Sequence, residues 1–118
     1  MSNVQRSASA YEVRRYRRDD RAGFLSLYES VWGRAKEPAW FDWRFAANPY
    51  AQGVEMIVAD HRGALVGVEP LLAFPLATDT GRILARQPVD WIVHPEHRRR
   101  GLFTRMTEEL LSTAADRT

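Results

Sequence analysis

The chain has no cysteine, so neither a disulfide framework nor a thiolate metal site can form. Lysine is almost missing: Lys36 is the only one among 17 basic residues, and the others are arginine. No apolar run reaches the roughly 20 residues that a membrane-spanning helix needs. The stretch Met1 to Ala10 lacks the apolar centre of a signal peptide and reads as a flexible tail. Without an export signal the default location is cytoplasmic, and no membrane partner is expected. Neither charge sign dominates, because 15 acidic residues leave a net charge of only +2. That balance gives little support to nucleic-acid binding through Arg14, Arg15, Arg17, Arg18 and Arg21, so nucleic acid is not an expected partner.

What is present, a chain of 118 residues that is 45% hydrophobic and 27% charged, fits one globular domain running from residue 11 to residue 118. Tyr11 to Tyr16 alternates and reads as a strand. Asp19 and Asp20 precede a helix from Arg21 to Trp32, whose apolar residues recur every three or four positions. Pro38 opens a second helical stretch carrying Trp40, Phe41, Trp43, Arg44 and Phe45, and Asn48-Pro49-Tyr50 ends it. Those aromatics suit the core face of an amphipathic helix more than a substrate pocket. Three strands follow: Val54 to Asp60, Ala64 to Phe74 with an interruption at Pro70, and Arg82 to Val93. Their short links, including the turn Thr78 to Gly81, predict an antiparallel meander. Pro70 and Pro88 each remove a ladder donor and predict bulges, bends or edge positions. A last helix runs from Gly101 to Ala115, with Phe103, Met106, Leu110 and Ala114 as its apolar stripe.

The most informative segment is Val93-His94-Pro95-Glu96-His97-Arg98-Arg99-Arg100-Gly101-Leu102-Phe103. A helix start already carries about half a positive charge, so three arginines there oppose the macrodipole. They make sense if an anion such as phosphate sits on the free amides of the first turn. Gly101 lets backbone approach that anion, and Arg98 to Arg100 can add charge-assisted contacts. His94 and His97 lack an evident third ligand and read as surface residues, so no metal site is expected.

This segment resembles the coenzyme-A signature of the GNAT (Gcn5-related N-acetyltransferase) superfamily: Arg or Gln, two residues, Gly, one residue, Gly or Ala. Arg98 and Gly101 fill the first and fourth places. Phe103 departs at the sixth, as expected if its side chain joins the helix's core stripe. Val93-His94-Pro95 is similar to the family's strand-end V-x-P. Trp43-Arg44-Phe45 with Asn48-Pro49-Tyr50 is similar to a W-[RK]-x…N-P-x-G segment of some members, although Gly53 comes late.

The resemblance implies an α/β (α+β) fold, with a mixed, mainly antiparallel sheet flanked by helices. It implies acetyl transfer from acetyl-CoA to a small-molecule or protein amine. The pyrophosphate would lie on Arg98, Arg99, Arg100, Gly101, Leu102, Phe103 and Thr104. The pantetheine arm would pair with Trp91, Ile92 and Val93, where an amide can polarise the thioester carbonyl. Asp90 is the candidate base, against the plainer reading of a carboxylate paired with a neighbouring arginine. Asp90 and Ile92 should face one side of the strand, Trp91 and Val93 the other. Glu69 reads as a half-exposed strand carboxylate, and Gln87 cannot act as a base.

Family members continue past the cofactor helix with a parallel strand, a further helix and a terminal strand pair. The resemblance therefore implies a truncated domain with limited activity of its own. It would expose a strand edge bearing Ile83, Leu84, Val89, Trp91 and Ile92, open to pairing with a second chain. The alternative function is a non-catalytic module that binds CoA or a partner.

Overall fold

A computed structural model describes residues 10–51 and 53–115. Apart from Ala10, the expected N-terminal tail lies outside the described residues. The elements are β1 (Tyr11–Arg15), α1 (Arg21–Trp32), α2 (Pro38–Phe41), β2 (Met56–His61), β3 (Ala64–Thr78), β4 (Gly81–Pro88), β5 (Ile92–Val93) and α3 (Leu102–Ala115).

Strands β1 to β4 form an antiparallel meander in chain order, and β5 pairs with β3 on the same edge as β4. Alternation along β2 sorts the core into two layers. Met56 and Val58 face Phe24 and Leu27 of α1, Phe41 of α2 and Phe45. Ile57 and Ala59 face Leu102 and Met106 of α3. The sheet thus lies between α1 with α2 on one side and α3 on the other. Gly67 lets α3 come close: a Cβ there would stand 3.1 Å from the Met106 methyl and 3.3 Å from the Ala59 Cβ.

Helix α1 has the predicted bounds and stops at Gly33, whose φ of +72° closes a left-handed cap. The second helical stretch departs from regularity. After one turn of α2, Asp42–Ala46 widens into a π-turn, with Ala47 N–H donating to the Asp42 carbonyl at 2.8 Å. Phe41 and Phe45 are buried in this stretch and Trp40 packs beside them, whereas Trp43 is 72% exposed. The aromatic cluster is therefore core except for Trp43.

Three sequence expectations about the sheet are corrected. First, β3 runs through Pro70 to Thr78 without a break, because the proline faces a gap in the neighbouring ladder. Second, the predicted strand Arg82 to Val93 is two strands separated by a bulge. The steps from Leu71 to Val68 are three on β3, while their partners Pro88 and Ile92 lie four apart. Third, Ile92 is 3% exposed, not part of an open apolar edge; Ile83, Leu84 and Trp91 are exposed as expected.

Candidate active site

The bulge decides which backbone groups β5 offers. Val89 N–H donates to the Pro70 carbonyl at 3.0 Å. Continued without an extra residue, that ladder would tie Trp91 and Val93 to β3, since bonded residues alternate in an antiparallel pair. Instead His94 N–H donates to the Val66 carbonyl at 2.8 Å, so Ile92 and His94 carry the ladder. Trp91 and Val93 then turn their backbone groups toward the open side of β5. The side chains follow the predicted alternation. Ile92 joins the α1 layer, Val93 the α3 layer, Trp91 packs on Phe103, and Asp90 reaches Arg44.

Beyond β5 a short turn, Pro95–His97, carries the chain to α3. The His94 ring caps it, accepting from Glu96 N–H at 3.1 Å. Arg99 has φ +63° and Gly101 φ +73°, so the backbone coils left-handed twice before the helix. Such a turn makes successive amides converge into a concave anion nest. The first intrahelical bond runs from Arg105 N–H to the Gly101 carbonyl at 3.0 Å. The amides of Leu102, Phe103 and Thr104 therefore precede the helix's own ladder. A Cβ at Gly101 would meet no atom within 4 Å, so the surface above this backbone is open.

The three arginines divide their roles. Arg98 Nε donates to the Val93 carbonyl at 2.9 Å and ties the turn to β5, a use the sequence reading missed. Arg99 and Arg100 are exposed and, among the described residues, have no carboxylate partner. Three of the five N-terminal arginines are paired by contrast: Arg14 with Asp20 at 2.7 Å and with Asp60 at 3.1 Å, Arg17 with Glu12 at 3.2 Å, and Arg21 with Asp42 at 2.8 Å.

Strand edge and turn share one cavity of about 880 Å³. Asp90, Trp91, Ile92, Val93, Arg98, Arg99 and Gly101 to Thr104 line it, opposite Val31 and Trp32 at the end of α1. All of the sequence-predicted site residues except Arg100 meet there.

Phe103 corrects an expectation. It does not enter the core; it is 41% exposed and packs at a tilt against Trp91, ring centroids 4.4 Å apart. The buried face of α3 is Leu102, Met106 and Thr113, with Leu110 beside them. The side chain of Ala114 lies outside the described residues.

Two carboxylates behave differently from each other. Asp90 is held by Arg44, with Nε at 2.7 Å and Nη2 at 2.6 Å, both on Oδ2. Glu69 is only 2% exposed, not half-exposed as expected, and its partner is the Thr107 hydroxyl at 3.2 Å. Burial raises its pKa, and the Thr107 hydrogen bond only partly offsets this. His97 accepts or donates a 2.8 Å hydrogen bond with Tyr11 Oη, and its pKa is lowered by burial, then by His61, Arg100 and His94. The described residues contain no cluster suited to a metal ion.

An α/β domain whose sheet edge runs into a turn with left-handed Arg99 and Gly101 and then a helix start has backbone amides of the kind that can take an anion. Comparison gives the family: the sequence matches the acetyltransferase (GNAT) domain over residues 12–118, and the chain belongs to that family. Solved structures share the fold at low identity. A ribosomal-protein-alanine N-acetyltransferase from Brucella melitensis biovar Abortus 2308 superposes with a TM-score of 0.68 at 22% identity, over 92% of this chain and 74% of that one. An acetyltransferase from Trypanosoma brucei gives 0.65 at 20% identity, over 90% and 75%. An aminoglycoside N-acetyltransferase in complex with CoA gives 0.63 at 14% identity, over 91% and 70%. No curated protein sequence matches the chain significantly. No helix among the described residues is long and apolar enough to cross a membrane.

Proposed function

We propose that the chain binds CoA on the turn and helix start from Arg98 to Thr104 and transfers an acetyl group from acetyl-CoA to an amine. One observation carries this reading: the anion nest and the outward-facing backbone of β5 open into the same cavity. Family membership and the CoA-bound structural neighbour support it.

In this reading the amides of Leu102, Phe103 and Thr104 take phosphate oxygens, and Arg99 and Arg100 supply charge from the rim. Arg98 holds the Val93 carbonyl and so keeps nest and strand in register. The amides of Trp91 and Val93 are the donors for the pantetheine arm and the thioester carbonyl. Of the carboxylates weighed from sequence, only Asp90 lines the cavity.

Gly101 gives the test. Its open surroundings mean that an added side chain meets ligand before it meets protein. Gly101→Asn keeps a residue that tolerates a left-handed φ, whereas Gly101→Val adds strain as well. Both should lower CoA affinity in calorimetry at least tenfold, about 1.4 kcal/mol. Far-UV circular dichroism should stay close to wild type. Unchanged affinity in both variants contradicts the assignment.

A CoA-binding module without turnover is the second reading. The open side of β5, which no strand covers among the described residues, favours it. CoA binding without acetyl transfer to any of a panel of amines would select it.

A further inference from the structure

The Arg44–Asp90 pair joins the segment after α2 to the chain between β4 and β5. Three features converge on it. Asp90 has φ +48°, in the left-handed region that Asp tolerates better than most residues with a Cβ. It is the middle residue of the bulge between Pro88 and Ile92. Its carboxylate takes two short contacts from one guanidinium, Nε at 2.7 Å and Nη2 at 2.6 Å.

Arg44 is itself firmly presented. It lies in the π-turn Asp42–Ala46, an irregularity often found at functional sites. Its guanidinium lies 5.5 Å from the ring centre of buried Phe45. Asn48, just beyond, donates from Nδ2 to the Ala73 carbonyl at 2.9 Å. The segment after α2 therefore grips the sheet twice, once on β3 and once on the bulge.

We propose that Arg44 is a positioning residue for acyl transfer: through Asp90 it locks the bulge that turns the Trp91 and Val93 amides out of the ladder and into the cavity. The proposal rests on the acetyl-transfer reading. Releasing the lock lets the bulge migrate or anneal, and the outward amides lose their fixed direction. The nest is shaped by the left-handed backbone at Arg99 and Gly101, so loosening the bulge reaches it only through the Arg98 bond to the Val93 carbonyl. Loss of the pair should therefore disturb the acyl end of the ligand more than the phosphate end.

The experiment uses the full chain with acetyl-CoA labelled with ¹³C at the thioester carbonyl. In the wild-type complex that resonance should move downfield from its free position, the signature of a hydrogen-bonded carbonyl. Arg44→Met, which keeps the stem over Phe45, should return it toward the free value. Asp90→Asn, nearly isosteric, should do the same, and the double variant should go no further than either single one. CoA affinity should fall by less in all three than the tenfold expected at Gly101, because the phosphate contacts do not involve Asp90.

A wild-type carbonyl position retained in both single variants overturns the proposal, and it is what a catalytic-base role for Asp90 predicts. Independent, additive effects in the double variant overturn it as well. Failure of the wild-type chain to bind CoA at all is a different result: it overturns the acetyl-transfer reading and the proposal with it.

Discussion

Glu69 places a carboxyl group in the α3 layer with the Thr107 hydroxyl as its partner. Burial raises its pKa above the ordinary 4.5, so the folded state favours the protonated form. A group raised in this way stabilises the fold below its unfolded pKa, and that contribution is lost as pH rises through the folded value. At pH 7 the charged form is therefore a burden on the native state. Glu69→Gln keeps the shape and removes the titration. The variant should melt above wild type at pH 7, and the gap should close below pH 4.5. A variant that melts lower at pH 7 would show that the ionised carboxylate is an asset. Glu69 was misread from sequence because its partner sits far along the chain, on a helix whose phase was not fixed.

That phase is the lesson at the scale of elements. Leu102 and Phe103 are adjacent and both apolar, and either can begin a stripe that continues through Met106 and Leu110. The sequence alone cannot choose between them. Packing against Gly67 and Ala59 chooses Leu102, and Phe103 is turned out onto Trp91. Helix α1 was legible, since its periodicity is strong and Gly33 stops it. The bulge was only hinted at by Pro88. Asp tolerates a left-handed backbone but does not require one, and the carboxylate's partner is Arg44, 46 positions earlier. The close contact at Gly67 yields a prediction. Gly67→Ala forces Met106 and Ala59 apart and should cost about 1–3 kcal/mol of stability in urea unfolding. No loss would mean that α3 can shift without penalty.

Charge governs the molecule as a whole. A net +2 gives little overall field, and Arg14, Arg17, Arg21, Arg44 and Arg86 are engaged with carboxylates. Arg99 and Arg100, adjacent, exposed and without an ion pair among the described residues, keep their charge beside the cavity. CoA binding should weaken as salt rises, because exposed charges are screened over about 10 Å at 0.1 M. Arg99→Gln with Arg100→Gln should flatten that dependence in calorimetry; an unchanged salt slope would move the phosphate contacts elsewhere. The turn from Arg98 to Gly101 stood out most in the sequence, since a helix start with three arginines is locally unfavourable without an anion. How β5 presents its backbone was not legible, because it follows from the ladder that it makes with β3.

The most direct test is an amide-resolved NMR titration of the full chain with CoA. The account predicts that the amides of Gly101, Leu102, Phe103 and Thr104 shift most, followed by Trp91 and Val93, while those of β1 and α1 near Arg14 to Arg21 stay in place. Saturable binding that leaves the Leu102 to Thr104 amides unmoved would contradict it.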